Sequence, residues 1–152
     1  MLKSHDPWES WRKQFSWDLP RFYNIGTAIT DHWARTAPER VALIEPLADG
    51  TTRNTSFGTL ATQSNRLASA LRAKGIAQGD RSALLLPQAV ETVLVHAASA
   101  KLGAIAVPLA LLFGEEAIAH RLHAATPRAF FTTAEGWRQA RNVAGSVPSL
   151  EH

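Results

Sequence analysis

The sequence predicts an α/β fold built on a short parallel sheet, and three observations carry that expectation. Ser82 to Leu86, Ala104 to Val107 and Ala129 to Thr132 are short, mostly apolar runs without polar alternation, the pattern of strands covered on both faces. Val90 to Leu102 and Glu115 to Ala125 lie between them, each long enough for a crossover helix. Gly79-Asp80 marks a turn before the first run, and Lys101-Leu102-Gly103-Ala104 passes straight from helix to strand, with Gly103 supplying backbone freedom. Two consecutive β-α-β units follow from this order.

Upstream, residues 1–26 form an aromatic arm. Trp8, Trp11, Phe15, Trp17, Phe22 and Tyr23 crowd into it, and such a density of rings predicts a short helix and an extended segment packed over the domain. Thr27 is placed to cap a helix from Ala28 to Thr36, which Ala37-Pro38 ends because the residue before proline avoids helical dihedrals. Val41 to Ile44 and Thr52 to Phe57 read as strands around an Asp49-Gly50 turn, hence an antiparallel pair. Thr55 or Ser56 then caps a helix from Phe57 to Lys74, in which Leu60, Ser64, Leu67, Ala68 and Leu71 share a face and Gly75 follows the last turn. A last helix is expected from Glu135 to Val143.

The 152 residues have room for about one domain. A hydrophobic fraction of 45% with 19% charged residues excludes disorder as the default state. The net charge of +3 is spread out, with no Lys/Arg run of the kind that grips nucleic acid. The absence of cysteine removes disulfides, thiolate metal sites and cysteine nucleophiles together. Leu102 to Gly114, the longest uncharged stretch, falls short of the ~18 apolar residues a membrane span needs and is broken by Pro108. Lys3, His5, Asp6 and Glu9 interrupt any signal-peptide core, so a soluble, cytoplasmic protein is expected. Leu150-Glu151-His152 reads as a tag remnant. The expected organisation is therefore the arm at 1–26, an α/β unit at 27–149, and residues 150–152 outside the fold.

Parallel sheets commonly hold nucleotides at the carboxyl ends of their strands. Among the nine glycines the closest pair is Gly75 and Gly79, so neither a dinucleotide fingerprint nor a P-loop exists in this chain. No Gly-x-Ser-x-Gly elbow anchors a hydrolase triad. Glu116, His120 and His123 fall on one helical face; without further ligands they read as a solvated face with Glu116 pairing His120, rather than as a metal site. His96 reads as a core histidine. Arg128, Arg138 and Arg141 follow the second crossover, where they form either a solvated face or an anion site.

Seven stretches carry a resemblance. Pro38-Glu39-Arg40-Val41-Ala42-Leu43-Ile44, Thr55-Ser56-Phe57-Gly58-Thr59-Leu60, Gly79-Asp80-Arg81, Leu84-Leu85-Leu86-Pro87, Ala100-Lys101-Leu102-Gly103-Ala104, Val107-Pro108-Leu109 and Glu116-Ala117-Ile118 together resemble the N-terminal part of the AMP-dependent synthetases and ligases, the adenylate-forming acyl-CoA synthetases. Phe15 to Pro20 with Phe22 to Gly26 looks like the entry segment of the medium-chain acyl-CoA synthetase branch. The family's Thr-Tyr-x-Glu-Leu stands here as Ser56-Phe57-Gly58-Thr59-Leu60, which puts contacts of the Tyr hydroxyl and Glu carboxylate in doubt but not the helix start.

The resemblance implies a partial Rossmann-like sheet inside a roughly 500-residue, multidomain enzyme of fatty acid metabolism. It further implies that a carboxylic acid is activated with ATP and Mg2+ to an acyl-adenylate, and that coenzyme A then takes the acyl group. The family's phosphate loop and catalytic lysine lie beyond this chain's last residue, so no catalytic residue and no metal ligand is expected within it. One site carries over: Leu112, within Leu111-Leu112-Phe113, toward the pantetheine arm of coenzyme A, and Arg138 and Arg141 toward its nucleotide. The expected partners are the acid substrate and the remaining domains of the same polypeptide. Apolar surface left without those domains predicts a dimer or oligomer of the isolated chain. A free-standing nucleotide- or coenzyme A-binding module without catalysis, or an interaction module presenting the aromatic arm, are the alternatives.

Overall fold

The computed structural model describes residues 7–152. Lys3, His5 and Asp6, used above against a signal peptide, lie outside the described residues, as does the start of the arm. The element order is α1 (Trp8–Gln14), α2 (Ile25–Ile29), α3 (Asp31–Thr36), β1 (Val41–Pro46), β2 (Thr52–Ser56), α4 (Phe57–Ala73), β3 (Arg81–Leu85), α5 (Val90–Leu102), β4 (Ile105–Pro108), α6 (Glu115–Ala125), β5 (Ala129–Thr132) and α7 (Ala134–Ala144).

β3, β4 and β5 form the expected parallel sheet in the order β4-β3-β5. Alternation along the strands feeds two cores. Ala83 and Leu85 of β3 pack with Ile118 and Leu122 of α6 and Ala140 and Val143 of α7. On the opposite face Ala129 of β5 packs with Ala68 and Leu71 of α4 and Ala98 of α5. The sheet is thus sandwiched between helix pairs, which is why its strands read as unbroken apolar runs. Ladder pairing starts at Arg81 with Ile105, so β3 begins one residue earlier, and β4 one later, than the apolar runs suggest.

The hairpin forms as expected. β1 and β2 pair antiparallel, and Asp49 Oδ1 accepts from the Thr51 backbone N–H at 2.9 Å in the connecting turn, where Gly50 takes φ +83°. Ser56 caps α4 by accepting from the Thr59 N–H at 3.2 Å. Gly103 ends α5 at φ 71°, a left-handed conformation that costs a glycine little. At the other sheet corner Thr126 is left-handed at φ 46°. Arg81 clamps it, its Nε donating to the Ala125 carbonyl at 2.8 Å and one Nη to the Thr126 carbonyl at 2.8 Å.

Three sequence expectations need correction. The segment predicted as one helix from Ala28 is two: Asn24, not Thr27, caps α2 through Oδ1 and the Thr27 N–H at 3.0 Å, and Thr30 leaves helical geometry before α3 begins. Among the described residues, the arm from Trp8 to Tyr23 does not pack over the domain, none of it being buried. α1 buries none of its seven residues, and the rings satisfy one another instead, Phe15 lying edge-on to Trp17 at 4.9 Å. Leu150–His152, set outside the fold, line the outer edge of β5: the Glu151 N–H donates to the Arg128 carbonyl at 3.0 Å, and the Phe130 N–H donates to the His152 carbonyl at 2.9 Å. The Arg128 guanidinium pairs with Asp80 at 2.9 Å and Glu151 at 2.7 Å.

One buried ion pair ties α2, α3, α4 and α5 together. The Lys101 side chain, 7% exposed, reaches Asp31 Oδ2 at 2.6 Å, and its Nζ also donates to Ser64 Oγ at 2.9 Å and Asn65 Oδ1 at 2.7 Å. Asn65 Nδ2 donates to the other Asp31 oxygen at 2.9 Å, and Asn24 Nδ2 donates to the Lys101 carbonyl at 3.0 Å. Gly26 makes the approach possible, because a Cβ there would sit 2.7 Å from the Ala97 carbonyl oxygen and the Lys101 nitrogen. Burial raises the Asp31 pKa, but hydrogen bonds from Lys101, Asn65 and Thr30 outweigh it and hold the carboxyl at about 2 against an ordinary 3.8.

A depressed carboxyl stabilises the fold above its unfolded pKa, and that contribution disappears as pH falls from about 4 toward 2. Asp31→Ala leaves Lys101 buried without its counter-charge and is expected to cost about 2–4 kcal/mol in urea unfolding at neutral pH. The variant should also lose the part of the acid dependence between pH 4 and 2. Parallel pH profiles for the two proteins would contradict this account.

Candidate functional site

In a three-layer α/β unit the natural ligand crevice lies where neighbouring strands send their chains to opposite faces. Here that point falls between β3, which leads to α5, and β5, which leads to α7. The crevice is filled by the protein itself. Thr132 Oγ1 donates to the Leu85 carbonyl at 3.0 Å across the strand ends, and Gly136, in the first turn of α7, lies directly on both. A Cβ at Gly136 would overlap Thr132 Oγ1 and sit 3.2 Å from the Leu85 oxygen. Thr133 fixes that turn by accepting from the Gly136 N–H at 3.1 Å. The turn that starts α7 therefore lies against the carboxyl ends of both strands.

The residues singled out for coenzyme A lie beside this plug, on the rim. Leu109 is buried at the end of β4, after which residues 110–114 cross the carboxyl edge of the sheet. Gln139 of α7 holds that loop, its amide donating to the Leu111 carbonyl at 3.3 Å and to the Phe113 carbonyl. Arg121 lies over the Phe113 ring at 4.1 Å. Between these two anchors Leu112 stands 98% exposed, an apolar side chain that no intramolecular packing explains. Arg138 and Arg141 are three residues apart on α7, both exposed, and neither forms an ion pair among the described residues. The structure therefore brings the Leu112 loop and α7 together through Gln139.

Gln139 was not legible as a site residue, because a single glutamine on an amphipathic helix carries no motif. Of the three arginines that follow the second crossover, Arg128 is engaged by Asp80 and Glu151, while Arg138 and Arg141 are exposed. Glu116, His120 and His123 are exposed. His123 meets Ser146 at 3.2 Å rather than a metal partner, and no group of three metal-ligating side chains occurs among the described residues. The expected Glu116–His120 pair is not formed among the described residues. His96 is half-buried rather than enclosed. Two open clefts, of about 590 and 500 Å3, flank Tyr23 and Asn24 at the root of the arm, away from this rim.

Residues 30–151 match the model of the AMP-binding enzyme family. The chain belongs to that family. Among curated relatives, a long-chain-fatty-acid–CoA ligase of Mycobacterium tuberculosis is 42% identical over 86 residues, covering 57% of this chain and 16% of the relative. A human mitochondrial acetyl-coenzyme A synthetase 2-like protein is 30% identical over 131 residues, covering 86% of this chain and 19% of the relative. In structure, an anthranilate CoA ligase solved with anthranoyl-AMP aligns with a TM-score of 0.80 at 27% identity, covering 89% of this chain and 25% of that one. An acyl-CoA synthetase of Brucella canis aligns with a TM-score of 0.79 at 26% identity, covering 95% of this chain, and hence most of the arm, and 27% of that one.

This AMP-binding enzyme chain therefore spans less than a fifth of these curated relatives. The family match begins at Thr30, beside the Asp31–Lys101 pair. It thus takes in the hairpin, both helix layers and the Leu112 rim, while the whole aromatic arm precedes it.

Proposed function

We propose that the chain is the N-terminal part of an AMP-forming acyl-CoA synthetase, an acid-thiol ligase that activates a carboxylic acid, such as a fatty acid, and hands the acyl group to coenzyme A. The observation that carries this reading is the family match over residues 30–151. In the reaction a carboxylate oxygen attacks the α-phosphorus of ATP and pyrophosphate leaves; the coenzyme A thiol then attacks the acyl carbon and AMP leaves. Mg2+ supplies charge balance on the phosphates, and the described residues offer no cluster to hold it. The remaining domains of the polypeptide, in the cytoplasm where ATP and coenzyme A are available, complete the machinery.

What this chain contributes is scaffold and one rim. Arg138 and Arg141 present two exposed guanidinium groups with no ion pair among the described residues, and their fixed donor forks suit a phosphate such as the 3′-phosphate of coenzyme A. Leu112, held out by Gln139, offers an apolar contact to the pantetheine chain. In the full-length enzyme Arg138→Glu with Arg141→Glu should raise the KM for coenzyme A about ten-fold or more, with the KM for ATP unchanged. An unchanged coenzyme A KM would refute the assignment.

The isolated 152-residue chain should not catalyse acid-dependent exchange of pyrophosphate into ATP, whereas the full-length protein should; exchange by the purified chain would sink the division of labour. The outer edge of β4, the strand that carries the half-exposed Ile105, has no strand partner among the described residues, so the isolated chain should also self-associate. Light scattering that shows only monomer at millimolar concentration would count against that.

A further inference from the structure

The aromatic arm is exposed beyond what the fold explains. Trp8, Trp17, Leu19, Phe22 and Tyr23 are between 69% and 84% exposed, and Ile25 and Ile29 continue the apolar strip onto α2 at 58% and 47%. With ~150–250 Å2 per aromatic side chain, the strip places several hundred Å2 of apolar surface in water. That is as large as the ~300–600 Å2 patches that usually mark a binding surface on a soluble monomer. The strip also has a fixed root. Asn24 caps α2 with Oδ1 and donates from Nδ2 to the Lys101 carbonyl at 3.0 Å, and Gly26 lies against α5.

Two observations decide what covers it. The Brucella canis match takes in most of the arm, while the aligned part is only 27% of that protein. From Trp8 to Tyr23 no described residue is buried, and the strip meets its own domain at its root, at Asn24 and Gly26; such a segment keeps a shared place in a longer relative only if something beyond the domain holds it, and the larger part of the polypeptide is available to do so. The charges on the described arm nearly balance, Glu9 and Asp18 against Arg12, Lys13 and Arg21. That suits a protein face better than an anionic bilayer, whose attraction needs clustered basic residues.

We propose that the strip from Trp8 to Ile29 is an internal interface, covered in the complete protein by the remainder of its own polypeptide through an apolar face with balanced charge at its rim. The proposal rests on the reading of this chain as the N-terminal part of a longer ligase. It is tested on the full-length protein by hydroxyl-radical labelling, with mass spectrometry comparing oxidation of Trp8, Trp17 and Phe22 in the native and the urea-unfolded states. An internal interface slows oxidation of all three about ten-fold or more, independently of protein concentration and of added phosphatidylcholine–phosphatidylglycerol vesicles.

Near-equal rates in the two states overturn the proposal. Protection that grows with protein concentration assigns the strip to a second copy, and protection that appears only with vesicles assigns it to lipid; either overturns it. Pyrophosphate exchange measured on the same preparation separates this result from the ligase reading. Exchange with an unprotected arm sinks the interface alone, and a protected arm without exchange sinks the ligase reading while supporting the interface.

Discussion

The Lys101–Asp31 pair is the constraint on which the arrangement of helices depends. A lysine that is almost fully enclosed needs a counter-charge and partners for all three of its protons. Asp31, Ser64 and Asn65 supply them, and in doing so fix α3 and α4 against α5. The same residue's carbonyl holds Asn24, the cap of α2, so the root of the arm is placed by the backbone of the residue whose side chain locks the helices. Because the pair is desolvated, its worth lies as much in geometry as in energy: an apolar replacement could fill the space, but would not dictate the angle at which three helices meet.

A second set of contacts works at the opposite corner of the sheet. Arg81 closes the carboxyl end of α6, and Arg128 joins the turn at Asp80 to the tail at Glu151. Cations are well placed at a helix carboxyl end, where unpaired carbonyls concentrate negative charge. With both sheet corners stapled and the switch-point crevice plugged by Gly136, the parallel sheet is a rigid platform. At the carboxyl edge of that sheet the 110–114 loop and α7 are joined by Gln139.

Much of this fold could be read from the sequence because its signals are local. α5, α6 and β5 fall where the apolar runs and turn residues place them, and Gly103 has the positive φ that its position between helix and strand requires. The failures share a cause, which is dependence on partners distant in the chain. Nothing near Thr30 announces that the helix will break there so that Asp31 can face Lys101, seventy residues later. One signal was available: a lysine among the small apolar residues of α5 implies a buried acid somewhere, though not which one. The aromatic content of the arm predicted packing over the domain, but density of rings does not say which surface meets them, and the described rings stand largely exposed.

The plug at the switch point bears on how the chain's chemistry should be divided. An α/β unit that binds its own nucleotide keeps glycines where backbone must approach phosphate. Here the glycine at that position lets protein approach protein, with Gly136 seated on Leu85 and Thr132. The same residue type thus serves packing rather than binding, and enlarging the crevice would require removing the turn that starts α7. That turn also sets the direction of the helix bearing Gln139, Arg138 and Arg141. The packing of Gly136 on the strand ends and the direction of α7 are thus consequences of one local geometry.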